Sequence, residues 1–364
     1  MSIFMPLEQL FSQKPDLAQP DLAIDPKVGV QIIETLISFL DKYIFPEVAQ
    51  RMKSQFRTHL QNGNYADITS AIKLAEVLTQ QMQTISSDRH LQVFYSYKPL
   101  PSLNEQGKPT APEEQQRKRR YARWQNFGFY KVERLAGNIG YLDLRAFVPP
   151  ELSGETAIAA MNFLSNTEAL IIDLRQNGGG SPDTVALIST YLFDHQLVHL
   201  NNLHWREQDA NGVYYERVQQ YWTLPYVPGQ RYLDKDVYVL TSSFSFSAAE
   251  EFANNLKQLK RATIVGEVTG GGAHPGDFLL LSDHFDVFIP TGRSVNPITQ
   301  RNWEGTGVEP DIKVPGEQAL KMAHLAALKE LLTKTTEPEF ISELQQAMLQ
   351  QGATQRVIAT LEQD

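Results

Sequence analysis

Ala169-Leu170-Ile171-Ile172-Asp173-Leu174-Arg175-Gln176-Asn177-Gly178-Gly179-Gly180 is the stretch on which the fold turns. No polar side chain interrupts it before Asp173, the pattern of a strand buried on both faces, as in a parallel sheet. The three glycines after it open a loop at the strand's carboxyl end, and a helix near residues 182–193 follows. The same order recurs on either side. Ile139 to Leu144 reads as a strand and Glu155 to Leu164 as a helix; Val237 to Thr241 is a strand leading through a serine-rich turn into a helix from Ala248 to Lys260; Ala262 to Gly266 is a third buried strand. Repeated strand–turn–helix units predict a largely parallel sheet with its functional loops at the carboxyl ends of the strands.

Further out the texture changes. Val30, Ile33, Leu36, Ile37 and Leu40, then Ile72, Leu74, Val77, Leu78 and Met82, repeat at three and four residues, with Asn62-Gly63-Asn64 breaking the run. These predict a small helical bundle over 27–86, preceded by an arm over 1–26. Residues 87–136 read as a strand, Leu91 to Tyr95, and a flexible connection that carries the basic run Arg117-Lys118-Arg119-Arg120 as a solvated loop. The core spans 137–316 and contains an aromatic hairpin over 197–222 around Asn211-Gly212. Residues 317–364 are expected to be helical. The class is therefore mixed α/β.

Composition narrows the chemistry. With 364 residues and a net charge of −9, nucleic acid and anionic membrane surfaces are poor partners. No apolar run is long enough to span a bilayer, and the start (Ile3-Phe4-Met5-Pro6-Leu7) lacks a basic leader, so the chain as written reads as cytoplasmic, or as exported if a leader was trimmed. The absence of cysteine removes thiol nucleophiles and thiolate metal sites. The eight histidines form no HExxH spacing, and Ser181-Pro182 ends the glycine loop without the Gly-Lys-Ser/Thr of a phosphate loop. No metal and no cofactor is expected.

Three loops carry candidate chemistry. In Thr241-Ser242-Ser243-Phe244-Ser245-Phe246-Ser247-Ala248-Ala249-Glu250-Glu251, a serine at a helix N-terminus meets free N–H groups that favour an oxyanion. Ser247 with Glu250 is also a capping box, which any helix uses, and spacing does not choose among Ser242, Ser243, Ser245 and Ser247. Gly178-Gly179-Gly180 suits an oxyanion hole or a plain tight turn. Asn302-Trp303-Glu304-Gly305-Thr306-Gly307-Val308-Glu309-Pro310-Asp311 adds three carboxylates. A hydroxyl nucleophile needs a base; His90 and His274 are both candidates, and spacing leaves the choice open.

Taken in order, Asp88-Arg89-His90-Leu91, Gly140-Tyr141-Leu142, Asp173 to Gly180, Phe246 to Phe252 and Glu304 to Asp311 resemble the C-terminal-processing (tail-specific) serine proteases. The branch shared by the tricorn core and the modules of interphotoreceptor retinoid-binding protein is the most similar, over residues 30–315. The resemblance implies a ββα-spiral core of the crotonase and Clp type. It places the nucleophile at Ser247 and the oxyanion donors at the N–H groups of Ala248 and of Gly179 or Gly178. Gly272 stands where the tail-specific branch has its lysine base, so the resemblance points to the tricorn-like triad of Ser247, His90 and Glu304. No insertion of PDZ size lies between His90 and Gly140, and Arg89 replaces the serine that the tricorn branch carries beside its histidine.

The expectation is a serine peptidase that cleaves peptides or unfolded proteins through an acyl-enzyme, with Trp205, Tyr221 and His274 lining the substrate cleft. The alternatives are a catalytically silent module holding a hydrophobic ligand such as a retinoid or fatty acid, and an esterase with the same triad. No oligomeric state follows from the sequence.

Overall fold

The computed structural model describes residues 19–100 and 112–352. Most of the N-terminal arm with its apolar patch, residues 101–111 of the connection and the end of the tail lie outside the described residues.

Along the chain come α1 (Pro26–Phe39), α2 (Pro46–Gln61), α3 (Ala71–Ser86), β1 (Gln92–Tyr95), α4 (Pro112–Trp124), β2 (Phe129–Leu135), β3 (Ile139–Leu144), α5 (Pro150–Leu164) and β4 (Ala169–Asp173). Next are α6 (Pro182–Thr190), β5 (His199–Gln208), β6 (Tyr214–Trp222), β7 (Asp236–Thr241), α7 (Ala248–Gln258) and β8 (Thr263–Gly266). The chain closes with β9 (Gly276–Ser282), β10 (Phe285–Pro290), β11 (Gly292–Val295), β12 (Ile312–Lys313), α8 (Gly316–Lys334) and α9 (Pro338–Gln350). The mixed α/β class is as expected. One local expectation differs: Arg117 to Arg120 lie on α4, not in a loop. Its Pro112 start and its run of straight-chain Glu, Gln, Arg and Lys are good helix material, and Arg117, Arg119 and Arg120 remain exposed on it.

The chain divides into two units. The first combines the residues up to Tyr121 with 201–220 and 271–305. Its core is the apolar faces of α1, α2 and α3 (Ile33, Leu36, Met52, Phe56, Leu74, Leu78) packed with Leu91, Val287 and Ile289. The strand order of its sheet is β1-β10-β9, antiparallel throughout. Along the outer edge of β1, side chains take the place of a further strand. Thr79 both donates to and accepts from the Val93 backbone, and Gln83 Nε2 donates to the carbonyls of Arg89 and Leu91 at 3.2 and 3.1 Å. Those two bonds fix the segment that carries His90.

The second unit combines 122–200, 221–270 and 306–364. Its sheet has the order β12-β8-β7-β4-β3-β2, parallel from β12 to β3, with β2 antiparallel at the edge. One face (Ile139, Tyr141, Ile171, Tyr238, Leu240, Val265) packs on Ala323, Ala327 and Leu328 of α8. Leu142, Leu170, Ile172 and Val239, the alternate residues, are equally buried on the other face. Burial on both faces is why β4 shows no alternation. The turns after β4 and β7, two adjacent parallel strands, both emerge at the carboxyl end of the sheet.

Candidate active site

In the second unit, the turn from β7 to α7 separates its four serines. Ser242 Oγ donates to the Arg175 carbonyl at 2.6 Å; Ser245 Oγ donates to the Leu174 carbonyl at 2.7 Å and accepts the Ser242 N–H. Ser243 is held on the exposed side by Glu267, which accepts its N–H at 3.1 Å. These three hold the turn against β4 and its neighbours. Ser247 is half-buried at the N-terminus of α7.

Ser247 has φ 56° and ψ −119°, whereas an ordinary N-cap serine is extended. A non-glycine residue held there costs on the order of 1–3 kcal/mol, and such strain persists where the surroundings enforce it, often at functional sites. The surroundings do enforce it. Glu250, fully buried, accepts the Ser247 N–H at 2.9 Å on Oε2 and the Thr269 hydroxyl at 2.5 Å on Oε1, and Thr269 Oγ1 accepts the Val308 N–H at 2.7 Å. The carboxylate half of the expected capping box is thus formed, and it serves as the lock on a strained serine.

The glycine loop lies against this turn. A Cβ on Gly179 (φ +114°) would come within 2.8 Å of Ser247 Cβ and 3.1 Å of the Ala248 nitrogen. The Gly179 N–H, however, donates to Asn177 Oδ1 at 2.8 Å. The N–H groups of Gly178 and Ala248 make no hydrogen bond among the described residues. Asn177, fully buried, organises the loop: its Nδ2 donates to the Leu144 carbonyl at 2.9 Å and its carbonyl accepts the Phe246 N–H at 3.1 Å. The sequence pairs Glu250 with Ser247 as a capping box but does not mark Asn177 and Thr269 as partners of the site, because their bonds join segments far apart in the chain.

The first unit holds a second cluster. His274 Nδ1 lies 2.8 Å from Asp88 Oδ2 and 3.4 Å from Glu304 Oε2. Asp88 Oδ2 also accepts the Tyr43 hydroxyl at 3.0 Å, its Oδ1 accepts the His90 N–H at 3.0 Å, and Glu304 Oε2 accepts the Ala273 N–H at 2.6 Å. His90 is buried, with its ring tilted on Phe288 at 5.6 Å. Burial pushes the His90 imidazole down to about 4; Asp88 opposes this and His274 adds to it. For His274, burial pulls the same way, but the hydrogen bond and charge of Asp88 and the charge of Glu304 outweigh it, so its pKa lies above the ordinary histidine value. Asp88 loses hydration on burial, yet the His274 hydrogen bond and the two histidine charges hold it below the usual carboxylate range. The ligand-type atoms of Asp88, His274 and Glu304 all lie within 4.8 Å of one another, and a proton on His274 Nδ1 would make the 2.8 Å contact to Asp88 a charge-assisted hydrogen bond.

Glu304 is thus brought to His274 by direct contact. His274, expected on a substrate wall, is 6% exposed and part of the charged cluster. Trp205 and Tyr221 are buried as well. Trp205, in the first unit, packs under Gly292, where a Cβ would meet its ring at 2.7 Å. The aromatic residues of the hairpin that face solvent are Tyr215 and Trp222.

Residues 138–314 match the model of peptidase family S41, and residues 26–123 match that of the N-terminal domain of peptidase S41 in eukaryotic IRBP. Among solved structures, a candidate peptidase from Parabacteroides merdae ATCC 43184 is 18% identical over 82% of this chain and 93% of its own, with a TM-score of 0.54. The tricorn protease is 14% identical over 82% of this chain and 35% of its own, at 0.48. A candidate S41 protease from Bacteroides fragilis NCTC 9343 is 22% identical over 53% of this chain, at 0.45; the chain spans 52% of its length. No described helix is long and apolar enough to cross a membrane.

Proposed function

The chain belongs to peptidase family S41, and from that premise we propose that it hydrolyses peptide bonds with Ser247 as nucleophile, His90 as base and Glu304 as the acidic partner. Ser247 Oγ attacks the scissile carbonyl while His90 takes its proton; the oxyanion is held by the N–H groups of Ala248 and Gly178. His90 then returns the proton to the leaving amine, and water releases the acyl group by the same route. The substrate class is peptide or unfolded protein.

The observation that carries this reading is the strained Ser247, locked by Glu250 and packed against the glycine loop at Gly179. Of the two candidates for the first oxyanion donor, Gly178 is favoured because the Gly179 N–H is engaged by Asn177. His90 is favoured as base because it is uncharged at neutral pH and so ready to accept a proton. A turn built in this way favours hydrolysis over silent ligand binding, which has no need of backbone strain.

The test is labelling with a fluorophosphonate probe, mass-spectrometric location of the adduct, and a peptide-library digest. Modification at Ser247 that is lost in Ser247→Ala and His90→Ala, together with peptide cleavage, supports the proposal. A folded protein that takes no label overturns it, and ester turnover without peptide cleavage would reassign the substrate.

A further inference from the structure

His274 has no role in the three-residue chemistry above, yet two acids, the buried Asp88 and the partly buried Glu304, converge on it. Asp88, 1% exposed, meets its Nδ1 at 2.8 Å, and Glu304 Oε2 lies 3.4 Å from the same nitrogen. Glu304 is also bound to the N–H of Ala273, the residue before His274, so the ring and the carboxylate are held by one short segment. Phe45 covers the ring edge-on at 5.2 Å, and Tyr43 donates to the Asp88 oxygen that faces it. Two carboxylates within reach of one buried nitrogen need a cation between them, because buried charge without a counter-charge is costly.

We propose that His274 is the positioning residue of this cluster: its imidazolium sits between Asp88 and Glu304, neutralises both, fixes the Glu304 carboxylate, and leaves His90 as the neutral histidine. The consequence for catalysis rests on the reading of His90 as base; the charge arrangement itself does not. The charged and titratable groups around His274 are Asp88, Glu304, His90, Tyr43 and, more weakly, Arg293. The directions agree with the geometry, since His274 is raised while His90 is lowered. Removing the His274 charge leaves Asp88 unopposed beside His90, which makes His90 easier to protonate.

The experiment is a pH titration of the full chain labelled with 15N-histidine, read by two-bond proton–nitrogen spectra that report each ring's protonation. The expected result is a charged His274 and a neutral His90 at pH 7. His274→Gln then raises the His90 midpoint by about one pH unit or more, the size that a nearby charge imposes. Glu304→Gln lowers the His274 midpoint. A neutral His274 at pH 7, or a His90 midpoint unmoved in His274→Gln, overturns the proposal. If His274→Gln does not fold, Glu304→Gln decides it: an unmoved His274 midpoint is the overturning result. Fluorophosphonate labelling separates the two proposals. An acid limb that climbs with His90 in His274→Gln supports the positioning role, whereas a lower rate at an unchanged limb refutes it. Titrations as expected in a protein that Ser247 labelling never reaches would uphold the charge arrangement and remove the peptidase reading.

Discussion

The buried Glu250 carboxylate holds the Ser247 N–H at 2.9 Å, so the acid three residues into α7 fixes the backbone of Ser247. Because the same carboxylate takes the Thr269 hydroxyl, Glu250→Ala leaves two donors without an acceptor. It should lose about 3 kcal/mol of stability by urea denaturation, the scale of breaking charge-assisted buried bonds. Probe labelling should slow at least about tenfold as the turn relaxes. Unchanged labelling in a destabilised protein would show the lock to be structural only.

The four serines of the turn should respond in opposite ways. Ser247→Gly should abolish labelling and stabilise the fold by about 1 kcal/mol, since glycine adopts φ 56° without strain. Ser245→Ala should keep labelling and cost about 1–2 kcal/mol, because its hydroxyl ties the turn to the Leu174 carbonyl. Thermal melting of the two variants beside labelling checks both, and labelling that survives in Ser247→Gly would place the nucleophile elsewhere.

Gly179→Ala should lose most of its labelling even with Gly178 as the proposed donor. The added Cβ would stand 2.8 Å from Ser247 Cβ, at a φ that L residues rarely adopt, so loop and turn must part. A drop in labelling of about a hundredfold is expected, the size of losing an oxyanion contact. A variant with wild-type labelling would mean that the contact is soft.

The pH dependence follows from His90. With burial holding His90 down to about 4, the proposed base remains available through mildly acid pH, so labelling should hold below pH 6.5 and fall only near 4. Stability moves in the same window. His90 is harder to protonate folded than unfolded, so its contribution is intact above the ordinary 6.5 and is lost as pH falls toward 4. That loss is on the order of 3 kcal/mol. His274 acts in the opposite sense: its raised value adds stability below the ordinary histidine pKa and withdraws it as pH rises through the folded value. Urea midpoints between pH 4 and 8 for wild type and His90→Gln would show the slope flatten in the variant.

Asn177→Ala removes the amide that binds the Leu144 carbonyl and the Gly179 N–H together. With the residue fully buried, the cost should be about 2–4 kcal/mol in denaturant unfolding, with labelling lost as the glycine loop drifts. Asn177→Asp, which keeps the acceptor but not the donor, should fall between the two.

The sequence alone determined the parallel strands and the loops at their ends, because a buried strand must read apolar at every position, as Ala169 to Ile172 do, and a loop needing open backbone must use glycine. It also determined that Ser247, His90 and Glu304 are residues of interest, through their place in ordered motifs. Tertiary structure decided what those letters do. Ser242, Ser243 and Ser245 look like Ser247 until their hydroxyls and amides find carbonyls and carboxylates many residues away. The Gly179 amide is withdrawn by a side chain two residues back, a bond of local conformation that spacing does not encode. Asp88 meets His274 across 186 positions of chain. Local periodicity reports which face of an element is buried, and only the packed fold reports which buried charge stands beside which.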